Sequence, residues 1–465
     1  MRQRRTQREY EPYRVAHASD VRLSDFGTRF ASFVSRETTL TRDELWQSWL
    51  IDRGVRAFIT VPNGTTHDYY FEEGSEDAVL KALTRELQEG WGVHVQRYPN
   101  ARSRMIEAAQ RAGACAGTSG GVEVASVYRA YLQAAYTFCE YIWSAWAVID
   151  HLEPGIAERF PEHLGTIGSL EEPIAFLEMQ RDLYRLPIEV VTNRYRWLKM
   201  YSMSDEPYTV NDTERLKSES SPRYVEQQLA ALTENRKRFQ TFVSTIGDSA
   251  VRRDVEIVHR YAFLKTDRVE AWKHALALLA PLYQHLAARH SLAFIEAANL
   301  SVQETLDALE DEVLLNRESL RVRGVGAALY VLRHGELTVV TDADAVERIR
   351  GELEAPVAAV SELRGTAASA GVGRGPAKVI RHSRDLAKVT AGDVLIARYT
   401  FPIFTPHMVR CAAIVTDEGG LTGHAAIISR EHGIPCVVGV ERATRVFRDG
   451  DMVEVDADAG TVRRL

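Results

Sequence analysis

The chain has 465 residues, 45% hydrophobic and 26% charged, which is enough apolar side chain for two or three packed domains and shows no bias toward disorder. A formal charge of -7 excludes the basic footprint of a nucleic-acid binder and leaves small molecules or proteins as partners. No apolar run approaches membrane-spanning length, no signal-peptide core follows the basic N-terminus, and the four cysteines show no C-x-x-C pair, so a cytoplasmic protein with reduced thiols is expected.

From about residue 41 to residue 309 helical periodicity dominates. Residues 56–61 and 68–72 interrupt it as a candidate hairpin. Residues 128–149 carry Tyr131, Phe138, Tyr141, Ile142, Trp143 and Trp146, an aromatic density that suits a buried central helix better than an aromatic-lined pocket. Ser221-Pro222 supplies an N-cap and first-turn proline for the next long helix, with Gly247 placed to close it. Residues 268–289 repeat apolar side chains along one helical face, and Pro281 should kink or divide that helix.

Residues 1–350 therefore read as a mainly helical substrate- or partner-binding domain, and residues 351–368, GELEAPVAAVSELRGTAA, as a hinge linker. Residues 369–465 change character. Strand-length apolar segments at 375–381, 394–397, 412–416, 436–440 and 452–456 alternate with helices near 404–410 and 424–432, which describes a small α/β domain. The predicted fold class is thus multidomain, α followed by α/β.

The segment AAIVTDEGGLTGHAAIISREHGIPCVVGV, residues 412–440, carries the chemistry. A buried strand runs into Gly419-Gly420, a turn holds Thr422-Gly423, and His424 opens a helix that Gly433 and Pro435 close. At a helix N-terminus, unpaired N–H groups and the helix dipole would stabilise a transferred phosphoryl group and favour the neutral imidazole that a nucleophile needs. Gly419, Gly420 and Gly423 let phosphates approach the backbone, and Thr422 is placed to cap the helix and fix the ring. His407 and His432 share no i, i+4 helix face with His424 and no carboxylate cluster accompanies them, so no metal is expected.

This segment resembles the phosphohistidine domain of the phosphoenolpyruvate-utilising family, which includes pyruvate phosphate dikinase, phosphoenolpyruvate synthase and rifampin phosphotransferase. The resemblance rests on Gly419-Gly420, Thr422-Gly423-His424, the small Ala425-Ala426, Ile427-Ile428, Arg430-Glu431-His432-Gly433-Ile434-Pro435 and the strand Cys436-Val437-Val438-Gly439, flanked by a domain-opening turn at 369–375 and a closing hairpin at 449–462. It implies a swivelling domain in which His424 is transiently phosphorylated. One departure stands out: relatives commonly carry Ser, Cys or Thr just before the histidine, where this chain has Gly423.

In residues 1–350 neither a P-loop nor an ATP-grasp pattern is recognised. No bound cofactor is therefore expected in this chain, and ATP and Mg are expected through a partner ATP-grasp protein. The helical region resembles, more weakly, the substrate domain of rifampin phosphotransferase-type proteins, which implies catalytic roles for Arg268, Glu270 and Lys273. Glu270 would take the acceptor's proton while the cations neutralise phosphoryl oxygens. The competing expectation for Glu270 and Lys273 is a surface i, i+3 ion pair. The expected activity is phosphotransfer from His424 to a small-molecule acceptor. The alternatives are a phosphocarrier module that docks a protein, or transient phosphorylation that drives dehydration or ligation.

Overall fold

A computed structural model describes residues 10, 13–18, 30–35, 40–55, 57–63, 66–72, 74–117, 120–200, 203, 205–310, 315–333, 336–353, 362–380, 383–400, 404–421, 423–440 and 442–465. They fall into two compact units. The first comprises Met1–Ala145, Pro173–Leu229 and Leu264–Glu354, and the second Trp146–Glu172, Ala230–Phe263 and Ala355–Leu465. The second unit therefore combines the C-terminal strands with two stretches of the helical region, a grouping that the contiguous division of the sequence did not anticipate.

The first unit holds the helix Ser75–Cys115, the part of Gly121–His151 up to Ala145 and the part of Ser249–Arg289 from Leu264 onward. Tyr131, Phe138, Tyr141, Ile142 and Trp143 are all buried, and Phe138 packs edge-on against Trp272 at 6.2 Å between ring centroids. The aromatic density is core packing. Pro281 lies inside the 41-residue helix Ser249–Arg289, which continues through it. The expected division does not occur, because the bundle's packing holds the backbone helical past one missing amide bond.

The first unit also holds a six-stranded sheet. Its strands are β1 (Arg14–Ala18), β2 (Phe30–Ser35), β3 (Ala57–Asn63), β4 (Thr66–Glu72), β5 (Leu329–Arg333) and β6 (Glu336–Val340), in the order β1-β6-β5-β3-β4-β2. The β3–β4 hairpin matches the alternation read at 56–72. The sheet as a whole was not anticipated, since its other pairings bring residues 14–18 beside 336–340 and 57–60 beside 330–333, separations that periodicity cannot see.

The second unit is built on an eight-stranded sheet. Its strands are β7 (Glu362–Arg364), β8 (Thr366–Ser369), β9 (Val372–Ile380), β10 (Val394–Ala397), β11 (Ala413–Thr416), β12 (Cys436–Val438), β13 (Met452–Asp456) and β14 (Thr461–Arg464), in the order β7-β14-β13-β9-β10-β11-β12-β8. The segment expected as a linker thus ends in two paired strands, β7 and β8, while residues 354–361 of it lie outside the described residues. Strands β9 to β12 pair in parallel. The four residues of β10 and of β11 are all buried because both faces are covered. Val394, Ile396 and Val415 meet Phe447 on one side, and Leu395, Ala397 and Ile414 meet Phe404, Met408 and Ala426 on the other. Among the described residues no helix is long and apolar enough to cross a membrane.

Candidate functional site

His424 is the first residue of the helix His424–His432, with Gly423 at the N-cap. The helix forms because Ala425, Ala426 and Ser429 turn inward against the sheet, and it ends at Gly433, whose φ of +64° is a left-handed cap. Ile427 N–H closes the first intrahelical bond onto Gly423 O at 3.0 Å. The amides of the first turn therefore have no partner within the helix and present a positive end around the histidine.

The imidazole is held on both nitrogens. Thr400 Oγ1 lies 2.8 Å from Nδ1 and Thr405 Oγ1 lies 3.3 Å from Nε2. These threonines arrive through topology. Parallel pairing sets Ala397 of β10 opposite Thr416 of β11, so the chain leaves both strands at the same edge of the sheet, the position where α/β sheets place their ligands. Backbone bonds from Asp417 N to Ala397 O (3.0 Å) and from Glu418 N to Arg398 O (2.8 Å) extend the register past the strands, and an Arg398–Glu418 ion pair at 3.1 Å spans the same two segments.

The loop before His424 is fixed from several sides. Gly419 has a φ of +110°, a conformation that L side chains avoid. A Cβ on Gly420 would lie 2.2 Å from Oε2 of Glu153, a buried carboxylate in the short helix Glu153–Arg159. Arg430 donates to Leu421 O at 2.7 Å and to Ala368 O at 3.2 Å, which gives the arginine of the Arg-Glu pair a structural reason. Asp417 accepts from Thr444 N at 3.1 Å and from the Thr444 hydroxyl, and burial raises its carboxyl above the usual range. Thr422 lies outside the described residues.

The second predicted cluster lies in the first unit. Arg268, Glu270 and Lys273 are 8%, 6% and 5% exposed, which corrects the expectation of a surface ion pair. Glu270 accepts from Ala175 N at 2.9 Å and so caps the helix Ala175–Asp182, whose own N-cap residue offers no side-chain bond. Lys273 donates to Leu198 O. Burial pushes the Glu270 carboxyl up to about 7, with Asp267 adding to the rise while the Ala175 amide and Lys273 oppose it. Asp267 in turn accepts from Tyr98 at 2.6 Å and Arg102 at 2.9 Å, and His274 stacks on Trp197 at 4.6 Å with burial holding its imidazole down at about 4.

Sequence reasoning missed Thr400, Thr405 and Glu153, which all lie outside the 412–440 segment in the sequence. No local spacing signal marks any of them. Among the described residues no group of three or more His, Cys, Asp or Glu is placed to hold a metal ion.

Residues 389–460 match the family model of the PEP-utilising enzyme mobile domain. That stretch of the chain is therefore similar to the mobile domain of PEP-utilising enzymes. It is 42% identical over 139 residues to a probable phosphoenolpyruvate synthase of Archaeoglobus fulgidus, covering 30% of this chain and 18% of that protein. It is 43% identical over 134 residues to the phosphoenolpyruvate synthase of Pyrococcus furiosus, covering 29% and 16%. A Bacillus subtilis protein described as an uncharacterized phosphotransferase is 43% identical over 102 residues, covering 22% and 12%. The chain spans less than a fifth of the length of these relatives.

Proposed function

We propose that this chain is a phosphotransferase component in which His424 takes up a phosphoryl group at Nε2 and passes it to a small-molecule hydroxyl, carboxyl or similar acceptor. The observation that carries the reading is the clamp on the imidazole. With Nδ1 bonded to the Thr400 hydroxyl at 2.8 Å, a Nδ1–H tautomer leaves the Nε2 lone pair for phosphorus, at a helix N-terminus suited to phosphoryl oxygens. The relatives' names, phosphoenolpyruvate synthase and phosphotransferase, support the same chemistry.

The donor side belongs to a separate ATP-grasp protein that binds ATP and Mg. The acceptor side belongs to the helical unit. There Glu270, raised to about 7, takes the acceptor's proton near neutral pH, and Arg268 and Lys273 supply positive charge against the phosphoryl oxygens. Gly419, Gly420 and Gly423 admit the donor's phosphates to the backbone.

The test supplies the full chain with an ATP-grasp protein and with β- or γ-labelled ATP. An acid-labile, base-stable label on the wild type and none on a folded His424→Ala variant is the expected result. Undiminished label in that variant overturns the reading.

A further inference from the structure

We propose that Thr405 is a catalytic residue of this site, donating its hydroxyl to the phosphoryl group on Nε2; this rests on the reading of His424 as the phosphoryl carrier. The two hydroxyls at the imidazole are not equivalent. Thr400 Oγ1 meets Nδ1 at 2.8 Å, a full-strength bond, and Thr400 is itself buried. Thr405 Oγ1 stands 3.3 Å from Nε2, at the loose end of hydrogen-bonding range. A donor that binds the nucleophile's lone pair weakly is released easily when that pair attacks.

The support beneath Thr405 is rigid. It opens the one-turn helix Thr405–Met408, with Phe404 before it and Met408 at its end both buried in the core of the unit, and its carbonyl accepts from Val409 N at 3.2 Å. Pro406 fixes the next φ. A hydroxyl held this way needs little reorganisation to stabilise charge at the reacting atom. The residue before the histidine, Gly423, has no side chain and brings no hydroxyl to the site.

In the step itself the Nε2 lone pair attacks phosphorus, the N–P bond forms, and the bond from phosphorus to the donor's leaving atom breaks with its electron pair going to that atom. The Nδ1 proton stays on the ring and is donated to Thr400 Oγ1. The Thr405 O–H turns from Nε2 to a phosphoryl oxygen, and no other proton moves.

Phosphoramidate, which transfers its phosphoryl group to imidazole and releases ammonia with the P–N pair, tests this on the full chain without any partner protein. Labelling of His424 is followed by 31P NMR in the wild type, Thr405→Val, Thr405→Ala, Thr405→Ser and the pair Thr405→Val with Gly423→Ser. The hydroxyl-free variants are expected to label about 10- to 100-fold more slowly, Thr405→Ser to stay within about threefold of wild type, and the double variant to regain part of the loss. A Cβ at position 423 would sit 3.0 Å from Gly420 O, a tight fit that this loop must absorb by a few tenths of an ångström.

Comparing Ser with Ala at 405 isolates the hydroxyl if Val disturbs the fold. Equal rates for Ser and Ala, with the wild type labelled at His424, overturn the role of Thr405 and leave the carrier reading standing. A wild type that takes no label at His424 overturns the carrier reading and the inference with it.

Discussion

The surroundings of His424 and the buried cluster at Arg268, Glu270 and Lys273 use similar polar groups for different ends. Around His424 the side chains converge on one another: two threonine hydroxyls meet one imidazole. In the helical unit the buried side chains meet backbone, Glu270 an amide at 175 and Lys273 a carbonyl at 198. A polar residue tied to backbone holds segments together and resists removal, whereas one tied to a reacting atom changes rate. Substitution at Thr400 should therefore change transfer with little effect on stability, whereas substitution at Glu270 should change stability as well as transfer.

The largest expected effect is a pH dependence of stability in the helical unit. Glu270 has its folded value raised from 4.5 to about 7, so the folded state holds a proton that the unfolded chain has already lost. Stability from this group is full below about 4.5 and is lost as pH rises through 7, by up to roughly 3 kcal/mol. Glu44, also pushed by burial to about 7, contributes in the same direction, while His274, held at about 4, contributes the opposite slope between 4 and 6.5. The informative quantity is thus a difference: urea midpoints should show Glu270→Gln gaining on the wild type between pH 5 and pH 8. An unchanged gap would mean that Glu270 is ionised in the fold, and the cluster would then resemble the His424 site more than a structural tie.

On the other side of the comparison, Thr400→Val should slow phosphorylation of His424 by about 10- to 100-fold and leave the urea midpoint within about 1 kcal/mol of wild type. A large loss of stability with little loss of rate would make Thr400 a structural tie like Glu270. The smallest effect is expected at Gly420→Ala. The new methyl meets Oε2 of Glu153 at 2.2 Å, the far end of a side chain that can turn aside, and touches Ile149 Cγ2 only at an ordinary 3.5 Å, so the cost should stay near about 1 kcal/mol, the low end of overpacking. A thermal melt showing a much larger loss would place Glu153 among the fixed supports of the phosphate-facing loop.

The region around His424 was legible because its information is local. The glycines, the helix start at 424 and the apolar runs at 412–416 and 436–440 lie within 30 residues of one another in the sequence, and the observed β10, β13 and helix at 424–432 carry the bounds read from it. The threonines that clamp the ring were not legible, since they reach it through parallel pairing of β10 with β11 rather than through spacing. The same reason hid β1 and β2, whose neighbours lie far along the chain; β5 and β6 pair locally as a hairpin, and the sequence reading did not extend to them. Residues 268–273 were read correctly as one helix with charged side chains, but periodicity gave no sign that this face is buried against 175 and 198.

The central claim is that one nitrogen of one histidine carries the phosphoryl group. Protein labelled with 15N at histidine and phosphorylated in the full chain should show phosphorus coupling at Nε2 of His424, with Nδ1 still protonated toward Thr400 and no coupling at His407 or His432. Coupling at Nδ1 of His424, or phosphate on another residue with His424 unmodified, would contradict it.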